Sequence, residues 1–241
     1  MARGSHGSGR PEAAFSGSSV KGLGFARVDV LRGTRQPLPE VILGKGKTPS
    51  DIVEIARVLM EHSGHAIATR LDGEAVSALR EAFPEGRLCE RAMAFAVGRS
   101  SRPRPRGEPA VAIVSAGTAD LRSAEEAAFV LEEMRAVVRR FYDVGVAGIH
   151  RLGEALPGIE GCGACIAVAG MDAALPSVLG GLVGIPLVAV PTSTGYGSAF
   201  EGLSALLAML NSCVPGVTVV NIDNGLGAAA ALLRILRGHR R

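Results

Sequence analysis

Tryptophan is absent from this 241-residue chain, and aromatic residues make up only 4% of it. A nucleic-acid reader needs clustered cations interleaved with aromatic platforms. The formal charge here is only +3, and much of the positive charge lies in two tails and one linker-like stretch. Nucleic acid is therefore not an expected partner. Long hydrophobic runs are missing too: Gly, Pro or charge breaks each one well short of the ~20 residues of a membrane span. No charged start leads into an apolar signal core. The expectation is a cytoplasmic protein without a membrane partner. Neither a G-x-G-x-x-G with its following acid nor a Walker loop occurs. Cysteine is scarce, with four residues. Cys162 and Cys165 form one "CGAC", which can be redox-active or half of a zinc site. No second pair or nearby His completes a zinc set, and Cys165 enters the strand-like "CIAVAG", so both read as packing residues.

What the chain has in quantity is Ala, Gly, Val and Leu, within a 47% hydrophobic composition. That suits an α/β protein with close helix–strand packing. Residues 1–21 are rich in Gly, Ser and Arg and read as a disordered tail. Residues 22–98 read as a small α+β domain, with strands in "LPEVILG", "HAIATR" and "AMAFAVG" and a helix in "DGEAVSALREAF". A second helix, "KTPSDIVEIARVLMEHSG", has Thr48 as N-cap, Pro49 in its first turn, and an apolar stripe of Ile52, Ile55, Ala56 and Leu59. Residues 99–109, "RSSRPRPRGEP" within its flanks, read as a linker. From residue 110 to 241, apolar strands alternate with helices, which indicates a parallel sheet covered on both faces. The segment 123–140 reads as one helix with Ser123 and Glu126 in a capping box, and "VTVVNI" as the last strand.

Ligands of such sheets bind outside the strand carboxyl ends. Those ends read "SAGTAD", "DVGVAGIHR", "AGMDAALPS", "PTSTGYGS" and "NIDNGLG". Small residues there let backbone N–H groups approach a phosphate. Candidate ligand contacts are Ser115, Gly117, Thr118, Asp120, Arg151, Thr192, Ser193, Gly195, Tyr196, Gly197, Asp223 and Asn224. His150 reads as a proton carrier, a phosphate contact or a polar residue at a helix start, and Asp223 as a ribose or magnesium contact or a loop support. One further string, "AMLNSC", places Asn211, Ser212 and Cys213 at the end of an apolar helix. By composition alone the thiol is a buried, inert residue.

"FYDVGVAGIHRL", "VAGMDAALPSVLGGLVGIPLVAVPTSTGYG", "MLNSC" and "VVNIDNG" closely resemble the LarB family, the pyridinium-3,5-biscarboxylic acid mononucleotide synthases of nickel-pincer cofactor biosynthesis. The resemblance extends through "FARVDVLRGTRQPLPEVILGKGKTP", so it spares only the first twenty-odd residues. The carboxyl-terminal part also resembles PurE, with "SAGTAD" similar to its phosphate loop and "GIHR" to its "SAHR". The resemblance implies a PurE-like (flavodoxin-like) catalytic domain, a homo-octamer, and magnesium as the ion. It implies carboxylation of nicotinic acid adenine dinucleotide with CO2 or bicarbonate and hydrolysis of the phosphoanhydride. It makes Cys213 a covalent nucleophile and Asp172 and His150 its catalytic companions, with Asn211 beside the substrate. Asp172 departs from the family's usual Glu in "AGMEGALPS". For the amino-terminal cluster Arg27, Asp29, Arg32, Arg35 and Glu40, it implies contact with adenylate or pyrophosphate. Two alternatives stay open. One is a PurE-type carboxylase or mutase, although Ala174 stands where PurE has a His. The other is a non-catalytic nucleotide sensor.

Overall fold

The computed structural model describes residues 19–101, 107 and 109–238. Most of the expected tail and linker lie outside them. Strands β1 (Val20–Gly22) and β2 (Arg27–Asp29) pair as an antiparallel hairpin. One helical turn, α1 (Arg32–Arg35), then leads into β3 (Val41–Leu43), α2 (Pro49–Ser63), β4 (His65–Thr69), α3 (Gly73–Ala82), β5 (Arg87–Cys89) and β6 (Ala94–Gly98). The last four strands form a mixed sheet of order β3-β4-β6-β5. Helix α2 starts as its sequence dictates. Thr48 Oγ1 accepts from Asp51 N at 3.2 Å, Asp51 Oδ2 accepts from Thr48 N at 3.3 Å, and Pro49 occupies the position whose N–H would have no partner. Gly64, at φ 65°, ends the helix in the left-handed region.

The carboxyl-terminal unit alternates regularly: β7 (Val111–Ser115), α4 (Leu121–Glu133), β8 (Val138–Phe141), α5 (Ile149–Glu160), β9 (Ala164–Ala169), α6 (Ala174–Leu182), β10 (Leu187–Pro191), α7 (Leu203–Leu210), β11 (Thr218–Val219) and α8 (Gly225–Gly238). All five strands are parallel, in the order β8-β7-β9-β10-β11. This is the flavodoxin-like order, and its switch point lies between β7 and β9.

The side-chain period of two sorts each strand into two cores. Val111, Ile113, Ile166, Val168, Val188 and Val190 face one way, toward α4 and α8; Ala112, Val114, Cys165, Ala167 and Ala189 face the other, toward α5, α6 and α7. In the smaller sheet, Ala66, Ala68, Phe95 and Val97 face α2 and α3, while Ile67, Ala94 and Ala96 join the core of α4 and α8. The chain is thus layered helix, sheet, helix, sheet, helix, and α4 is shared by both sheets. Gly225 makes this close packing possible: a Cβ there would lie 2.2 Å from the carbonyl oxygen of Ser123 on α4.

Three sequence expectations are corrected. The helix read over 123–140 runs only from Leu121 to Glu133, and Val138–Phe141 is an edge strand. Ser123 and Glu126 form no capping box; both are buried inside α4. The strand read in "VTVVNI" keeps only Thr218 and Val219. Cys162 and Cys165 are both buried, and burial pushes both thiols up from their ordinary range. Their place is in the core between the sheet and its outer helices.

Candidate functional site

Backbone strain marks the strand carboxyl ends. Nine non-glycine residues among those described have positive φ, and Arg70, Asp143, Met171, Ala173, Phe200, Glu201 and Asp223 of these lie in segments that follow a strand. Such a conformation is disfavoured for L residues and persists only where the surroundings fix it.

The loops after β7, β10 and β11 are tied together by hydrogen bonds. Thr192 Oγ1 donates to Asp120 Oδ1 at 2.6 Å, and Gly117 N donates to Asp120 Oδ2 at 2.9 Å. Burial pushes the Asp120 carboxyl up, against the pull of these hydrogen bonds. Ser193 N donates to Asp223 Oδ1 at 2.9 Å, and Asn224 caps α8 by accepting from Gly227 N at 2.8 Å. Ser115 is buried, and its hydroxyl accepts from Asp143 N at 3.3 Å.

These loops form one wall of a cavity of about 460 Å3 whose other wall is the amino-terminal unit. Lys45 and Arg70 enter from that unit, and Arg122, Glu126, Ser193 and Asp223 from the carboxyl-terminal one. Arg70 spans both: its Nη2 donates to the Asp223 carbonyl at 2.6 Å, and its Nε stands 3.6 Å from Glu126 Oε1. Burial pushes the Glu126 carboxyl up, opposed by the backbone N–H of Leu226 and the charge of Arg70. Sequence reasoning did not select Lys45, Arg70, Arg122 or Glu126. The glycine-flanked lysine of "GKGKT" was the visible signal for the first; Glu126 was visible but read as a cap.

A second group of sequence-selected residues lies on the outer side of the same strand ends. His150 is exposed in the first turn of α5. Arg151 Nη1 pairs with Asp143 Oδ2 at 2.6 Å. A Cβ on Gly148 would come within 2.6 Å of Arg151 Nε, so the guanidinium packs directly over that glycine. Asp172 is exposed and accepts from Ala174 N at 3.3 Å. Thr118, Gly195, Tyr196 and Gly197 are exposed, Tyr196 at 81%.

Cys213 and Asn211 belong to neither group. Asn211 Nδ2 donates to the Leu207 carbonyl and closes α7. Next to it, Ser177 Oγ donates to Ser212 Oγ at 2.8 Å, which fastens the following turn to α6. The thiol itself is exposed on the outer helix layer. Around it the surface is apolar: Leu203, Leu207 and Leu210 form one exposed stripe of α7, with Leu182 and Phe200 also exposed. The amino-terminal cluster is largely satisfied by itself, Arg32 pairing with Glu40 at 2.7 Å and Arg35 with Asp29. Among the described residues no three His, Cys, Asp or Glu side chains gather as a metal site. No described helix is long and apolar enough to cross a membrane.

Comparison with known proteins follows the same division. Residues 20–99 match the LarB/PurE-like N-terminal domain, and residues 110–241 match AIR carboxylase. An uncharacterized protein of Methanocaldococcus jannaschii is 40% identical over 210 residues, covering 84% of this chain and 80% of that protein. An N5-carboxyaminoimidazole ribonucleotide mutase of the same organism is 34% identical over 131 residues, 52% of this chain and 78% of the mutase. The corresponding mutase of Pyrococcus abyssi is 36% identical over 141 residues, 54% of this chain and 75% of the mutase.

Proposed function

The chain belongs to the LarB/PurE-like, carboxylase-related family, and from that premise we propose that it carboxylates the pyridinium ring of nicotinic acid adenine dinucleotide and hydrolyses the phosphoanhydride. The products are pyridinium-3,5-biscarboxylic acid mononucleotide and AMP. One observation carries this reading: the cavity takes cations from both units, Lys45 and Arg70 from one and Arg122 from the other. A ligand with two linked phosphates suits such a two-walled anion site. The mutase relatives match only about half of this chain, and the amino-terminal wall lies outside residues 110–241, the part that matches AIR carboxylase.

A pyridinium carbon is electron-poor and does not attack CO2. A thiolate adding to the carbon beside the ring nitrogen sends the ring electrons onto nitrogen and leaves an enamine. The next carbon of that enamine attacks CO2. Loss of its proton and departure of the thiolate restore aromaticity, with no net oxidation. Cys213 is the proposed nucleophile. It stands outside the cavity of its own chain, so the proposal includes a homo-octamer. Packing through the exposed α7 stripe would bring the thiol of one copy to a dinucleotide held by another. Asp172 and His150, exposed on the same side of the sheet, are the proposed proton carriers. Magnesium would arrive with the substrate phosphates rather than on a protein cage.

The test is mass spectrometry of products from the dinucleotide, magnesium and labelled bicarbonate. Label in the dicarboxylated mononucleotide supports the reading. Turnover of N5-carboxyaminoimidazole ribonucleotide with no labelled pyridinium product overturns it.

A further inference from the structure

Glu126 is a buried carboxylate with unfinished hydrogen bonding. Its side chain is 4% exposed, yet it lines the cavity between the units. Oε2 accepts from Leu226 N at 3.1 Å, at the start of α8. Oε1 has no hydrogen-bond partner among the described residues, and Arg70 Nε at 3.6 Å is too distant to be one. Beside it stands the buried hydroxyl of Thr69, which draws the carboxyl down as a hydrogen-bond donor, although neither oxygen has a partner of full hydrogen-bond geometry. A buried carboxylate oxygen on a cavity wall without full hydrogen bonding is uncommon, because leaving a buried polar group unsatisfied is costly.

The place of this acid suggests what satisfies it. Arg122 and Glu126 are four residues apart on α4, so they are neighbours on one helix face. The cation stands toward the helix start, where phosphate is favoured, and the acid stands one turn further in. A ribonucleotide carries the same order of groups: a 5′-phosphate, then a ribose whose hydroxyls lie about one helical turn away. A carboxylate receiving ribose hydroxyls beside a bound phosphate is a recurrent solution in nucleotide sites. Asp223 is less free for this task, because its Oδ1 already accepts from Ser193 N.

We propose that Glu126 is the ribose-binding acid of the cavity, its Oε1 accepting a hydroxyl when Arg70 turns from the carboxylate to the ligand phosphate. Arg70 is suited to that movement. It is one-third exposed, held in the left-handed region at φ 55°, and has the cavity in front of it. The inference rests on the dinucleotide reading above but assigns a contact which that reading does not require.

The experiment is calorimetric titration of the full chain with nicotinic acid adenine dinucleotide and with forms that each lack one ribose hydroxyl. Wild type and Glu126→Gln are compared, with circular dichroism as a check on folding. One deoxygenated form is expected to bind wild type roughly tenfold more weakly, the loss of a hydrogen bond to a charged group. Glu126→Gln is expected to bind the parent and that form much more nearly alike. If wild type binds every form equally, the assignment fails whether or not the variant folds. An unchanged difference in a folded Glu126→Gln also overturns it, while leaving the dinucleotide reading in place. If no form binds at all, both fall.

Discussion

The two sides of the five-stranded sheet differ in how far one chain completes them. On the inner side, α4 and α8 are covered by the smaller sheet, and the seam is closed by charge. Glu133 at the end of α4 accepts from Arg87 Nε and Nη2, at 2.9 and 2.7 Å, and is bonded to His65 Nε2 at 3.0 Å. On the outer side, α7 leaves Leu203, Leu207 and Leu210 at 45%, 49% and 60% exposure beside a free thiol. A contiguous exposed apolar patch of that kind is the mark of an interaction site. The inner side is a finished interface within the chain, and the outer side leaves an apolar stripe that another copy would cover in the proposed octamer.

The strongest way to sharpen this comparison is at the thiols. Cys213→Ser is expected to lower carboxylation by roughly three orders of magnitude or more, the scale of losing a covalent nucleophile. Cys162→Ala and Cys165→Ala, on residues that pack in the core, should lose activity only in proportion to lost stability. Label recovered in the dicarboxylated mononucleotide at an undiminished rate from Cys213→Ser would rule out the covalent route.

The next test breaks the outer side alone. Leu207→Arg puts a charge into the exposed α7 stripe. Light scattering should show assembly falling below the octamer, and carboxylation should fall with it. Thermal stability of the separated chain should change by no more than about 0.5 kcal/mol, as for other surface changes. A Leu207→Arg protein that remains an octamer would refute the role given to this stripe.

The inner side is broken by Glu133→Gln. Burial opposes ionisation of Glu133, but hydrogen bonds from His65 and Arg87 and the Arg87 charge outweigh it and hold the carboxyl down to about 2. A depressed carboxyl contributes stability above its ordinary value of 4.5 and loses it as pH falls from there through about 2. At neutral pH the variant should be less stable by on the order of 2 kcal/mol. Urea midpoints for wild type and variant should converge as the pH is lowered toward 2. A gap that stays constant with pH would mean that the ion pair is not its source.

The smallest expected effect lies far from both sides. Thr48→Ala removes the cap of α2 and should cost about 1 kcal/mol, read as a shift in urea midpoint with ligand binding unchanged. A change in dinucleotide affinity would show that α2 is coupled to the cavity in a way the contacts do not suggest.

The alternation of apolar strands with helices made the parallel sheet legible from residue 110 onward, because strands buried on both faces are continuous apolar runs. Strand β8 reads one segment late: a strand is expected just before "DVGVAGIHR", but the preceding helix reads through Val138, Arg139 and Arg140 of β8. Its central Arg139 and Arg140 are exposed on an edge, so the segment looks like the charged end of the preceding helix. Strand β5 has three residues, too few to show a period. Within the site, the loops holding Asp120, Thr192 and Asp223 were readable from their small residues. Glu126 was misread for a physical reason: an acid three residues after a serine satisfies the capping pattern whether it turns to its own helix start or into a cavity. Only the tertiary placement of Leu226 and Arg70 distinguishes the two.

Sharing α4 between two sheets also bears on how the molecule comes apart. A core that includes Ile67, Ala94 and Ala96 of one sheet together with Ile113, Ile166 and Val188 of the other has no internal boundary at which melting could pause. Calorimetry should therefore record one endotherm for both units, with van't Hoff and calorimetric enthalpies in agreement. Cutting the chain between residues 101 and 107 should leave two fragments that copurify rather than two independent proteins.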